Sequence, residues 1–244
     1  DGSANEFLIQ PIQGEANFIV VQQQGNSNVV EAANGMIGND NLIDAYQRGD
    51  NNYAVFATEG DMHNVELEQA GDNNTAVGES YGEQNDIMVS SRGDDNFNGV
   101  AVQGVSNDIQ SRQRGDANTA EVVFVGDDND VMSSQVGDGN VTLAYSYDAG
   151  TTSGNTLDSE QQGDINLIDT IIGGNENLIS FYQEGNSNVI AGDGGSFIVG
   201  GSNGSVDIQQ VGDYNVVTGG QASDGNTMSV YQQGDYNVAT VVQY

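Results

Sequence analysis

Residues 232–243 read Gln-Gln-Gly-Asp-Tyr-Asn-Val-Ala-Thr-Val-Val-Gln. A Gly-x-x-Asn step, Gly234 to Asn237, leads into residues of strand type. The step recurs about every 11 residues. Its Asn slots fall at 17, 28, 41, 52, 63, 74, 85, 96, 107, 118, 129, 140, 155, 166, 177, 188, 204, 215, 226 and 237. Asn fills 18 of these 20 slots, with His63 and Gly204 the exceptions. Gly stands three residues earlier in 18 of 20, with Thr152 and Ser223 the exceptions. Self-similarity of this length has to be read before any other feature.

The sixth residue after each slot doubles the period. After alternate slots it is Gln23, Gln47, Gln69, Ser91, Gln113, Gln135, Gln161, Gln183, Gln210 and Gln232. After the intervening slots it varies, from Thr58 and Ser80 to Phe124 and Ile172. Two unlike half-repeats therefore make one 22-residue unit, and there are ten units.

Positions +2, +4 and +6 after a slot share one face of a strand. They hold sets such as Ile43/Ala45/Gln47, Val65/Leu67/Gln69 and Ile179/Phe181/Gln183. The opposite parity is richer in Glu, Asp, Asn and Ser. Each half-repeat thus reads as one short strand with an inward face, closed by a tight turn. Identical residues one unit apart call for parallel stacking of like on like. The expected fold is all-β: a β-solenoid of about ten coils, two strands per coil, amyloid-like. The nine glutamines form a buried ladder that passes amide hydrogen bonds up the stack. Gly25/Asn28, Gly49/Asn52, Gly71/Asn74, Gly115/Asn118, Gly137/Asn140, Gly163/Asn166, Gly185/Asn188, Gly212/Asn215 and Gly234/Asn237 are the structural turn pairs. Their residue types supply unusual φ angles, and His63 and Gly204 are expected to enter the left-handed region in the Asn slot.

Residues 1–13 read as a lead-in strand or cap, with Phe7, Leu8, Ile9 and Ile12 interrupted by Pro11. Residues 14–244 read as a single solenoid domain. Extra residues near Glu31–Met36, 148–154 and 192–201 read as bulged corners, which cost little. In the last, Phe197, Ile198 and Val199 either cover a core opening or mark a contact.

Hydrophobic content is 36%, the net charge is −32, and the four cations are all Arg. That balance excludes unaided binding to nucleic acid or an anionic membrane. With no cysteine there is no disulfide framework or thiol chemistry. No run reaches transmembrane length. An opening Asp1 in place of Met reads as the mark of a removed leader.

The residue after the turn Gly forms an acidic column: Asp50, Asp72, Asp94, Asp116, Asp138, Asp164, Asp213 and Asp235, with Asn26 and Asn186 completing it. Stacked at about 4.8 Å, neighbouring charges repel by about 1 kcal/mol in water. Such a column binds cations, raises its pKa values or depends on salt. These aspartates are the candidate ligands for weakly held Ca²⁺ or other cations, with a screened solvated face as the alternative. GDxN is not the glycine-rich calcium nonapeptide, so no metal site is assigned. Arg48, Arg92 and Arg114 precede the turn Gly and are expected to offset the Asp column. Carboxylates repeat rather than gather, and no HExxH, nucleotide loop or nucleophile elbow is present, so an enzyme is not expected.

Gln232, Gly234, Asn237, Ala239 and Gln243 match Gln-x-Gly-x-x-Asn-x-Ala-x-x-x-Gln in full, and the Gln-Gly-Asn frame extends over nearly the whole chain. In this the sequence resembles the curlin family, the secreted subunits of bacterial functional amyloid fibres. The resemblance implies secretion in an unfolded form through dedicated machinery and polymerisation at the cell surface, where a nucleator subunit starts assembly. It further implies a role in biofilm matrix and adhesion, with no cofactor. The chain departs from the pattern in having more units than the best-known members. The second Gln of the motif survives only at Gln221 and Gln243. The expected function is a structural fibre subunit adding head to tail to copies of itself; the alternative is a secreted acidic adhesin or calcium-binding module.

Overall fold

A computed structural model describes residues 2–146, 152–192 and 194–244, without the side chains of 34 and 35. Among the described residues the regular elements are all strands, arranged in two parallel sheets of ten and thirteen. The ten-stranded sheet runs without interruption from Phe18–Gln24 to Thr227–Gln233, each strand seven residues long. Its register is like over like: Gln23 on Gln47, Gln47 on Gln69, Gln113 on Gln135, Gln210 on Gln232. The second sheet stacks the alternate half-repeats, from Val29–Ile37 to Val238–Gln243, with Glu6–Ile9 and Ile12–Gln13 laid on its first edge. The chain is therefore a β-solenoid of about ten coils.

Burial follows strand parity. Ile43, Ala45 and Gln47 are fully buried, while Leu42, Asp44 and Arg48 in the same strand face out. The core between the sheets is one residue deep from each side: Val65 and Leu67 from one, Ala54 and Phe56 from the other. It thins midway, where Ser111, Ser133 and Ser159 stack beneath one another, their buried hydroxyls without partners.

The turns correct one expectation. Neither His63 nor Gly204 takes a left-handed conformation; that role falls to the residue just before the slot. Met62 (φ 60°), Asn73 (58°), Ile165 (59°) and Tyr236 (59°) are examples. A β-branched residue such as Ile165 is a true outlier there, held because the stack over-determines it. The turn Gly answers a different need. At Gly115 φ is +120°, and a Cβ would run into the carbonyl of Gly137 in the next coil. Close approach of successive turns, rather than flexibility, requires this glycine.

The insertions leave the ten-stranded sheet untouched. In Val29–Ile37 the register shifts between Ala32 and Met36. Of the insertion at 148–154, residues 148–151 lie outside the described residues. In that at 192–201, residue 193 does too, while Phe197–Val199 returns to pair with Thr170–Ile172. Phe197 and Val199 are fully buried, and Phe197 meets Phe181 edge to face at 5.8 Å. This segment closes the core, as the first of its two readings expected.

The two kinds of turn glycine should separate in mutation. Gly115→Ala should cost roughly 2–4 kcal/mol by steric conflict plus backbone strain. Gly139 has φ +65° and only Ile165 near its Cβ position at 3.7 Å, so Gly139→Ala should cost about 1 kcal/mol. Urea denaturation of the two variants measures the contrast.

Candidate functional site: the amide and carboxylate columns

Each ladder Gln is inward-facing on the ten-stranded sheet because it sits at the third inward position of its strand. Gln47 Nε2 donates to Gln69 Oε1 at 2.8 Å, and also to the carbonyl of Val29 across the core. The pattern repeats from Gln113 to Gln135 (3.0 Å), to Gln161 (2.9 Å), to Gln183 (2.9 Å), to Gln210 (2.8 Å) and to Gln232 (2.9 Å). Gln23 donates likewise to Gln47 at 2.9 Å. One amide hydrogen serves the next coil and the other the opposite sheet, which is how a buried primary amide stays satisfied. Ser91 breaks the column: its hydroxyl donates to Gln113 Oε1 at 3.2 Å, and Gln69 keeps its bond to the carbonyl of Tyr53.

The Asn slots form two further columns. The Asn28 side chain grips the next turn twice. Its Oδ1 accepts the Asn52 backbone N–H at 2.9 Å, and its Nδ2 donates to the Gly49 carbonyl at 2.7 Å. Asn52, Asn74, Asn96 and Asn118 repeat both contacts on Gly71, Gly93, Gly115 and Gly137. Asn140, Asn166 and Asn188 do the same on Gly163, Gly185 and Gly212. Asn215 accepts from the backbone of Asn237, the last of the column, which follows Gly234.

His63 shows that the slot wants this pair of bonds. Its Nδ1 accepts the Asn85 backbone N–H at 3.3 Å and lies 3.0 Å from the Ser80 hydroxyl, while its Nε2 faces the Glu59 carbonyl at 3.1 Å. A neutral ring protonated on Nε2 reproduces the acceptor and donor of Asn. Burial lowers its pKa, more strongly than the nearby Glu59 and Gly82 carbonyls and the Asp61 and Glu83 charges raise it. At Gly204 the vacant space is taken by the buried Gln221 amide, which approaches from the other sheet.

The Asp column is a ladder as well. The Asp50 backbone N–H donates to Asp72 Oδ1 at 2.7 Å, Asp72 to Asp94, Asp94 to Asp116 and Asp116 to Asp138, each at 2.8 Å. Asp138 donates to Asp164 and Asp213 to Asp235, both at 2.9 Å. Asn26 and Asn186 supply the same acceptor or donor where they interrupt it. One oxygen of each carboxylate therefore holds a backbone N–H of the preceding coil. Among the described residues no group of three or more His, Cys, Asp or Glu is placed to hold a metal.

The arginines correct a second expectation. They do not sit against the Asp column. Among the described residues the one ion pair joins Arg92 to Glu68 at 3.2 Å, on the outer face of the ten-stranded sheet. Arg112 contacts Gln110 on the same face. The reason is parity: the residue before the turn Gly is the last outward position of its strand, so its side chain leaves before the corner.

One ladder and one turn were missed in the sequence. The second turn has its own acceptor column, through Asn39, Asp61, Asp127, Ser153, Asn175, Ser202 and Asp224. Any short acceptor just after the turn Gly would have signalled it. Gly2-Ser3-Ala4-Asn5 is also a repeat turn: Ala4 has φ 58°, and Asn5 grips Gly25 and Asn28 as a slot residue does.

Comparison with known families finds the curlin associated repeat over residues 38–71. That segment holds two rungs of the Gln ladder, Gln47 and Gln69, with the turns at Gly49/Asn52 and Gly60/His63. No curated protein matches the chain.

Protonation gives a test. The folded-state pKa of His63 lies below its unfolded value of about 6.5, so stability is full above that pH and falls as pH drops toward the folded value. Asp86, Asp130 and Asp158 have raised pKa values, chiefly through burial. Their effect is opposite: they gain stability as pH falls through the folded pKa toward about 3.8. His63→Asn should therefore remove a stability loss below about pH 6.5 and leave the gain at lower pH. Denaturation midpoints across pH for both proteins measure this.

Proposed function

We propose that this chain is a structural subunit of an extracellular, curli-like fibre, built by head-to-tail addition of copies and serving as matrix and adhesive material. One observation carries the reading: each coil binds the next through the same columns of Gln, Asn and Asp, so a coil surface is complementary to a copy of itself. An edge strand of such a stack is a template for another chain. Addition at such an edge gives an open, non-closing assembly. The curlin repeat at 38–71 supports this reading. Export machinery and a nucleating subunit are the partners such a fibre would use.

The reading requires purified chain to form growing, thioflavin-positive filaments in moderate salt. Protein that stays monomeric by light scattering over the same period overturns it. Gln232 completes the Gln ladder, accepting from Gln210. Gln210→Ala with Gln232→Ala should slow elongation several-fold, since each truncation strands a buried partner at about 1–3 kcal/mol. Thioflavin kinetics at matched concentration give the comparison.

A further inference from the structure

The outer face of the ten-stranded sheet is the one long surface that no insertion interrupts; the irregularities all fall in the other half-repeats. Each strand shows it four outward residues, which stack into four columns. The strands Asp86–Arg92 and Asp108–Arg114 have the same outward ends: each begins on an Asp and closes on an Arg. They are adjacent and in register, Asp86 on Asp108 and Arg92 on Arg114. In a chain of 36 acidic and four basic residues, two of its cations thus flank one face at the same height as two carboxylates.

Asp86 accepts from Asn64 Nδ2 at 3.0 Å and Asp108 from Gln110 Nε2 at 3.4 Å, so within the chain both carboxylates are met by neutral amides rather than by a cation. Asp86, Asp108 and Asp130 stand in one column, and Asp108 adds to the burial that raises the pKa of both neighbours. No cation lies beside them: among the described residues the one ion pair is Arg92 with Glu68. Arg114 is exposed and, among the described residues, makes no ion pair.

We propose that two copies pair face to face through this sheet, related by a two-fold axis parallel to the stack. That rotation reverses strand direction across the interface and keeps each strand opposite its own copy. The first column of one molecule then faces the fourth column of the other. Arg92 meets Asp86, Arg114 meets Asp108, and symmetry doubles both, giving four ion pairs. Facing sheets lie about 10 Å apart, a gap that an Arg and an Asp span tip to tip. A two-fold perpendicular to the stack would instead set Arg on Arg and Asp on Asp. The chosen operator leaves both stacks running the same way, so paired filaments would share one polarity. The same rotation sets Glu66 against Glu68 and Asp158 against Glu160. With those layers repelling, the arginines supply the attraction, and their loss leaves none.

Charge reversal tests whether these four groups do the pairing. Arg92→Asp with Arg114→Asp puts acid on acid; Asp86→Arg with Asp108→Arg puts base on base. Each double variant alone should fail to pair, and an equimolar mixture should pair, because every contact is again opposite in sign. The readout is the cross-sectional radius of gyration by X-ray scattering at low salt, with filament width by electron microscopy. It measures lateral pairing whether or not the chain elongates. Wild type and the mixture should show the doubled section, and each variant alone the single one. Wild type with a single section, variants that pair alone, or a mixture that stays single would each overturn the proposal. So would a wild-type face that pairs only with added dextran sulfate, which would make the arginines a polyanion site.

Discussion

Everything in this fold depends on the side-chain amide of the turn Asn doing the work of a peptide group. A stack of parallel coils leaves turn carbonyls and N–H groups facing the next coil without the regular ladder that strands enjoy. Buried, each would cost about 1–3 kcal/mol if unpaired. The Asn amide meets both needs of the coil that follows, one with its oxygen and one with its nitrogen. Asn52, for example, accepts the N–H of Asn74 at 3.0 Å and donates to the Gly71 carbonyl at 2.8 Å. The turn can then be tight enough for glycine-to-glycine contact, which in turn fixes the stacking distance for the sheets.

The exceptions obey the same rule. His63 fits because a neutral imidazole carries one acceptor and one donor about as far apart as the amide's. Gly204 has no side chain, and the Gln221 amide enters its place. Ser91 is shorter than Gln and gives up the bond from the coil before, but keeps the one to the coil after. On the ladders, then, the repeat hands each polar residue of this thin core a partner. Ser111, Ser133 and Ser159 lie off the ladders, and their hydroxyls go unpaired.

Most of the architecture was legible in the sequence because the stacking constraint acts on every coil alike. A requirement repeated twenty times leaves a period, and Gln at the third inward position distinguished the two half-repeats. What was illegible was anything that depends on backbone detail inside the turn. The left-handed residue, which precedes the slot, can be Ser, Asn, Met, Ile or Tyr, so composition does not mark it. The Asp column was visible as charge but not as a set of hydrogen-bond acceptors, since repulsion is the first thing a column of like charges suggests. The arginines were placed by sequence adjacency to the Asp column, where strand parity sends them to the sheet face instead.

That double use of the carboxylates bears on polarity. In the Asp column the N–H of one coil is received by the side chain of the next, as at Asp94 and Asp116. In the Gln column the amide of one coil also donates forward, as at Gln161 and Gln183. The Asn amide reaches forward with both its atoms. The leading surface of any coil therefore differs chemically from its trailing surface: it offers donors from the Asp backbone and Gln side chain, while the trailing surface offers the matching oxygens. Two leading surfaces would set donor against donor in both columns. A stack of this kind can continue only with one polarity, and that polarity is written into each coil rather than into its ends.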